Sequence, residues 1–230
     1  MFELYRVFKL EKTPLAYISY AMAILFYVSR LFAGVVEPMA LIMLFLILLM
    51  FVYVFSYPKY EAKDVMAIFF GLFYIAVMLS YVYQIRVLES GGIYVVLLFL
   101  GSWGNDTLAY CAGRLFGKHK MSPVLSPKKT IEGAVGGVAG AGLLGFLYSL
   151  IAKNFILTDS NLGLVFAVIC MVGALLSIIG DLAASAIKRN YDIKDYGTLI
   201  PGHGGILDRF DSVIFIAPII YYFLIYTVGA

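Results

Sequence analysis

The fold class predicted by this sequence is an all-α polytopic membrane protein with about seven transmembrane helices. Composition points there first: of 230 residues, 63% are hydrophobic and 13% are charged, about half the charge of an ordinary globular domain. Mean hydropathy is +0.95. The apolar residues also fall in uninterrupted runs of roughly 20, the length that crosses a hydrocarbon core of about 30 Å. Finally, the cations gather in alternate gaps between those runs. A water-soluble globule would need more polar surface than this chain owns. Disorder, a collagen-like chain and a disulfide scaffold are excluded by the apolar content, the lack of a G-X-Y period and the presence of only two cysteines.

The chain opens with MFELYRVFKLEKTP, a mixed-charge segment that reads as an interfacial lead-in. No short apolar stretch with an A-x-A-like site follows, so a cleaved signal peptide is not expected. Spans are expected at 15–32, 38–57 and 65–83, with Pro14, Pro38 and Pro58 at their ends, where a missing N–H does least harm. Together, 1–92 read as N-terminal transmembrane helices, a scaffold that could supply dimer contacts. Their Phe, Tyr and Met residues read as packing rather than as a binding surface. Further spans are expected at 93–113, 133–152, 162–187 and 212–229. Region 93–230 reads as catalytic, with loops at 114–132 and 188–211. No internal repeat is present.

Strict alternation of seven spans puts Arg6, Lys9, Lys12, Lys59, Lys63, Arg114, Lys118, Lys120, Lys128, Lys129, Lys188, Arg189, Lys194 and Arg209 on one side. That is 14 of the 17 cations. Only Arg30, Arg86 and Lys153 fall on the other side. The N-terminus and both long basic loops are therefore expected in the cytoplasm.

The second half keeps acids that a plain anchor would not. Asp106 lies inside the fourth span, Asp181 near the end of the sixth, Glu132 at the start of the fifth, and Asp208 and Asp211 ahead of the seventh. A carboxylate in hydrocarbon costs a few kcal/mol unless it faces a cavity, a partner or a metal. Simple pairing of each acid with a neighbouring cation is the structural alternative. Asp181, Ser185 and Lys188 stand at i, i+4 and i+7, one face of a helix, and Asp208 and Asp211 at i and i+3 share a face if helical. Such acidic faces could hold Mg²⁺, which takes one or two protein carboxylates and leaves other positions to water and phosphates. The surrounding Lys and Arg suit a site loaded with anionic phosphate.

PGHGG at 201–205 could point backbone N–H groups at a ligand or form a tight re-entry turn. In SPKKTIEG, Ser126 or Thr130 could cap the fifth span, leaving Lys128 and Lys129 at its positive end, where a bound phosphate would relieve the conflict. Gly133, Gly136, Gly137 and Gly140 read as close helix packing. His119 reads as a solvated or headgroup-facing side chain. His203 reads equally as a phosphate contact or a structural hydrogen bonder, and Cys111 and Cys170 as small apolar filler.

SAIKRNYDIKDYGTLIPGHGGILDRFD at 185–211 resembles the signature of phosphatidate cytidylyltransferases, also called CDP-diacylglycerol synthases. The match fixes the spacing of Ser185, Lys188, Arg189, Lys194, Asp195, Gly197, Pro201, His203, Gly204, Gly205, Asp208, Arg209 and Asp211. WGNDTLAYCAGRLFGKHK at 103–120 and SPKKTIEG at 126–133 are also similar to that family. Residues 103–212 carry the resemblance, and the first hundred share it by hydropathy alone. Members usually have about two further hydrophobic segments ahead of the point where this chain starts.

The resemblance implies that phosphatidic acid and CTP give CDP-diacylglycerol and pyrophosphate, with no nucleic acid involved. It implies Mg²⁺ held by Asp181 and Asp208, with a monovalent cation such as K⁺ beside it. Asp181, Asp208, Lys188 and Asp106 would be the catalytic set, with Asp106 a metal or substrate ligand rather than a base. Ser126, Lys128, Lys129, Thr130, Ser185, Arg189, Lys194, His203, Gly204, Gly205 and Arg209 would line the substrate site. A homodimer in the bacterial plasma (inner) membrane, its active site facing the cytoplasm, is the expected setting. An ion-coupled transporter also uses buried carboxylates but leaves the basic Gly-rich loops unexplained. A CTP-dependent lipid-alcohol kinase would transfer the γ-phosphate and release CDP.

Overall fold

The computed structural model describes residues 1–32, 36–156, 161–199 and 204–228. Among these, six helices are long and apolar enough to cross a membrane: Pro14–Leu31, Pro38–Phe55, Ala62–Val87, Ile131–Ala152, Leu162–Asn190 and Leu207–Val228. The stretch expected as a further span at 93–113 is helical too, but built in three pieces. α6 (Gly91–Phe99) leads through a π-helical Leu100–Gly104 into α7 (Asn105–Phe116). Ser102, Asn105 and Asp106 dilute its apolar run, which explains why it falls outside the six. At about 1.5 Å per residue the run from 91 to 116 is still roughly 39 Å long.

The described chain packs as two units, the first being Met1–Ser80 with Asp195–Asp208 and the second Tyr81–Lys194 with Arg209–Ala230. In the first unit, α1 (Phe2–Val7), α2 (Pro14–Leu31), α3 (Pro38–Phe55) and α4 (Ala62–Gly71) surround a core of Tyr5, Leu15, Phe45, Ile68 and Leu72. The starts of α2, α3 and α4 are each marked by a capping side chain. Thr13 Oγ1 accepts from Ala16 N–H with Pro14 in the first turn, and Glu37 does the same for Ala40 ahead of Pro38. Glu61 and Asp64 form a reciprocal capping box on α4. The Tyr5 hydroxyl donates to the Ile68 carbonyl at 2.8 Å and shares a 2.6 Å hydrogen bond with Ser19, pinning α1 to α2 and α4. Of α3, only Leu41, Phe45 and Leu49 are buried, one i, i+4, i+8 stripe. Met39, Met43, Ile47, Phe51 and Phe55 face outward, a surface suited to lipid.

The second unit is organised by α8 (Ile131–Ala152), which lies between α7 and α9 (Leu162–Asn190). Its glycines make that possible. A Cβ on Gly137 would stand 2.5 Å from Asn105 Oδ1, and one on Gly145 would stand 2.5 Å from the Phe166 carbonyl. The backbones therefore approach as the small-residue pattern expects. α10 (Leu207–Val228) and the end of α5 (Met78–Val87) add Ile85, Ile216, Ile220 and Leu224 to the core. Between α7 and α8 the chain forms an antiparallel hairpin, β1 (Lys120–Ser122) with β2 (Ser126–Thr130), pairing Lys120 with Thr130 and Ser122 with Ser126. This hairpin was not foreseen: its strands are too short, and too rich in Lys and Pro, to show an alternating pattern.

Candidate active site

In the second unit four of the expected charges gather. Asp106 stands in the first turn of α7, directly after the π-helical segment, a distortion that recurs at functional sites. Lys129 of β2, Asp181 of α9 and Arg209 of α10 are all within electrostatic range of Asp106. Lys129 Nζ forms an ion pair with Asp181 Oδ2, each side chain about a quarter exposed. The hairpin delivers Lys129 to that position. Thr130 N-caps α8, its Oγ1 accepting from Gly133 N–H at 3.1 Å, which resolves the choice between Ser126 and Thr130 as the cap. Lys128 faces solvent one residue earlier.

α9 is helical through Asn190, so Ser185 and Lys188 lie along the Asp181 face as their spacing requires. Both are half-buried. Arg189 is exposed and donates from Nη1 to the Ile193 carbonyl at 3.2 Å, closing the turn after the helix. Lys194 is exposed. At the start of α10, Trp103 Nε1 donates to the Arg209 carbonyl at 3.2 Å and its ring packs edge-on against Phe210. Asp211 is buried, accepting from the Ser212 N–H at 2.7 Å.

Glu132 serves the loop rather than a ligand. Its carboxylate accepts from the backbone N–H groups of Lys118 and His119 and meets His119 Nδ1 at 2.6 Å. His119, expected as a solvated side chain, is exposed yet paired. Asn105, next to Asp106, is fully buried, and neither of its amide atoms has a hydrogen-bond partner. A packing-only core rarely keeps such a group, which costs about 1–3 kcal/mol.

Asp208 belongs to the first unit. Its Oδ2 accepts from the N–H groups of Tyr196 at 2.8 Å and Gly205 at 2.9 Å. Gly204 adopts φ +83°, a left-handed conformation that explains a glycine there. The Gly205 N–H is thus directed at Asp208. His203 and Pro201 lie outside the described residues.

Sequence reasoning missed Glu3 and Arg6. Glu3 Oε1 accepts from Ile206 N–H at 3.1 Å and Oε2 from Leu207 N–H at 2.8 Å. Arg6 Nη2 donates to the Tyr196 carbonyl at 2.6 Å. No local spacing could have revealed contacts across about two hundred residues of chain.

Among the described residues, no three His, Cys, Asp or Glu side chains cluster as metal ligands. Mg²⁺ binding does not demand three protein ligands.

The model of the cytidylyltransferase family matches residues 1–227. A phosphatidate cytidylyltransferase of Staphylococcus epidermidis is 39% identical over 174 residues, covering 76% of this chain and 64% of that protein. One from Bacillus subtilis (strain 168) is 37% identical over 188 residues, covering 80% and 67%. One from Thermotoga maritima is 35% identical over 164 residues, covering 71% and 60%. The chain thus spans about two thirds of the length of these relatives.

Proposed function

Because this chain belongs to the cytidylyltransferase family, we propose that it converts phosphatidic acid and CTP to CDP-diacylglycerol and pyrophosphate, a step of phospholipid biosynthesis. What carries the proposal is the gathering of Asp106, Asp181 and Arg209, on otherwise apolar helices, with Lys129 of the hairpin. Two acids beside two cations suit a polyanionic substrate that arrives with a cation of its own.

An oxygen of the lipid phosphate attacks the α-phosphorus of CTP. The new P–O bond forms as the bond from the α-phosphorus to the bridging oxygen breaks, and pyrophosphate leaves with that electron pair. Phosphatidate is already anionic, so no strong general base is needed. Lys128, Lys129, Lys188, Arg189 and Arg209 hold phosphates that otherwise repel each other. Lys129 passes from Asp181 to phosphate as substrate enters. Ser126, Ser185 and Lys194 line the substrate site, to which the family resemblance would add His203 and Gly204. Thr130 keeps its cap and so holds Lys129 in place.

The donors fit Mg²⁺: Asp106 and Asp181 present hard carboxylate oxygens, and Asp181 already engages a cationic group. An ion held there would neutralise charge on CTP oxygens and polarise the α-phosphoryl group, and the family resemblance implies Asp208 as a further carboxylate ligand. A monovalent cation such as K⁺ would take oxygen donors of the same kind. The setting we propose is a homodimer in a bacterial inner membrane, with the site facing the cytoplasm.

Purified protein in detergent, given CTP, phosphatidic acid and Mg²⁺, should yield CDP-diacylglycerol and pyrophosphate in equal amounts. Release of CDP with a phosphorylated lipid would make it a kinase. Solute uptake into vesicles without CTP consumption would make it a transporter.

A further inference from the structure

Within the first unit, the short helix α1 reaches the chain around Asp208, at the start of α10. The Glu3 carboxylate sits on the first N–H groups of α10, where negative charge is favoured. Two glycines make room for it. A Cβ on Gly205 would stand 2.5 Å from both Glu3 oxygens, and one on Gly197 would stand 2.5 Å from Oε1. Arg6, one turn along α1, holds the Tyr196 carbonyl. Tyr196 and Gly205 are also the residues whose N–H groups hold Asp208 Oδ2. Arg6 thus holds the carbonyl of Tyr196 and Glu3 holds the two N–H groups that follow Gly205, so α1 anchors the backbone next to both N–H donors to Asp208.

We propose that Glu3, with Arg6 beside it, is a positioning residue that fixes the Asp208 carboxylate through Tyr196 and Gly205. On this view Gly197 and Gly205 are glycines to admit Glu3, not to admit substrate. The inference rests on the cytidylyltransferase reading, which assigns Asp208 its work.

The test uses the 230-residue protein in detergent and the variants Glu3→Gln, Glu3→Ala, Gly205→Ala and the Glu3→Ala/Gly205→Ala double. Glu3→Gln keeps the shape and should lower kcat roughly tenfold or more, leaving KM for phosphatidic acid unchanged, because charge-assisted bonds to two N–H groups are weakened. Hydrogen exchange at the amides of Tyr196 and Gly205 should accelerate in the same variant. The double variant should be little worse than its worse single, since the three nearest atoms that a Gly205 Cβ would meet all belong to Glu3. If Glu3→Ala does not fold, the isosteric Gln variant still decides. Wild-type kcat and exchange in Glu3→Gln would overturn the proposal, as would losses that multiply in the double. Wild-type protein that makes no CDP-diacylglycerol would instead sink the functional reading itself.

Discussion

Lys129 and Asp181 form an ion pair that is about a quarter exposed on each side, and such a pair contributes about 1 kcal/mol or less to stability. Its importance is where it puts charge. Replacing Asp181 with Asn should reduce CDP-diacylglycerol formation about 100-fold or more while shifting the apparent Tm by only about 2 °C; a near-normal rate would refute the role of Asp181. Asp208→Asn should likewise abolish turnover in folded protein. Lys129→Gln should raise KM for CTP roughly tenfold, the cost of one weakened phosphate contact, and an unchanged KM would remove Lys129 from the substrate site. At this scale the sequence was informative wherever function follows local spacing: the Asp181, Ser185 and Lys188 face could be read from it, and the cap of α8 could be narrowed to Ser126 or Thr130. Partners far apart in the chain could not, so Lys129 pairing with Asp181 and the Glu3 contacts emerge only from the fold.

Among the elements, α8 is the most constrained, because its small residues set how closely α7 and α9 can pack. Gly137→Val would place a branched side chain against Asn105 and Ala109 and should cost about 1–3 kcal/mol, read as a lowered apparent Tm and weaker activity. Thr130→Ala should cost about 1 kcal/mol by removing the cap and should also loosen the hairpin that carries Lys129. An unchanged melting curve in both variants would contradict this packing. Long apolar helices and their proline starts were legible because length and hydropathy are enough to define them. The hairpin was not, and neither was the π-helical Leu100–Gly104. A π-turn is selected by tertiary packing rather than by any residue pattern.

For the whole molecule, composition alone dictated the class: a chain this apolar has its outward surface in lipid, as α3 does with all but one stripe. Orientation is tested in a Cys111→Ser/Cys170→Ser background. An impermeant maleimide added to intact cells should label Lys153→Cys, and should label Lys120→Cys only after permeabilisation; the reverse pattern would overturn the proposed topology. What composition could not convey is that Asp195–Asp208 packs with the N-terminal helices while the chain on either side of it belongs to the second unit. That arrangement has a temporal consequence. The ribosome delivers Glu3 some two hundred residues before Leu207, so the nascent chain already lodged in the bilayer must keep α1 waiting until α10 emerges. Turnover should begin only once α10 has been made, and a chain stalled ahead of Leu207 should be inert however well its earlier helices have inserted.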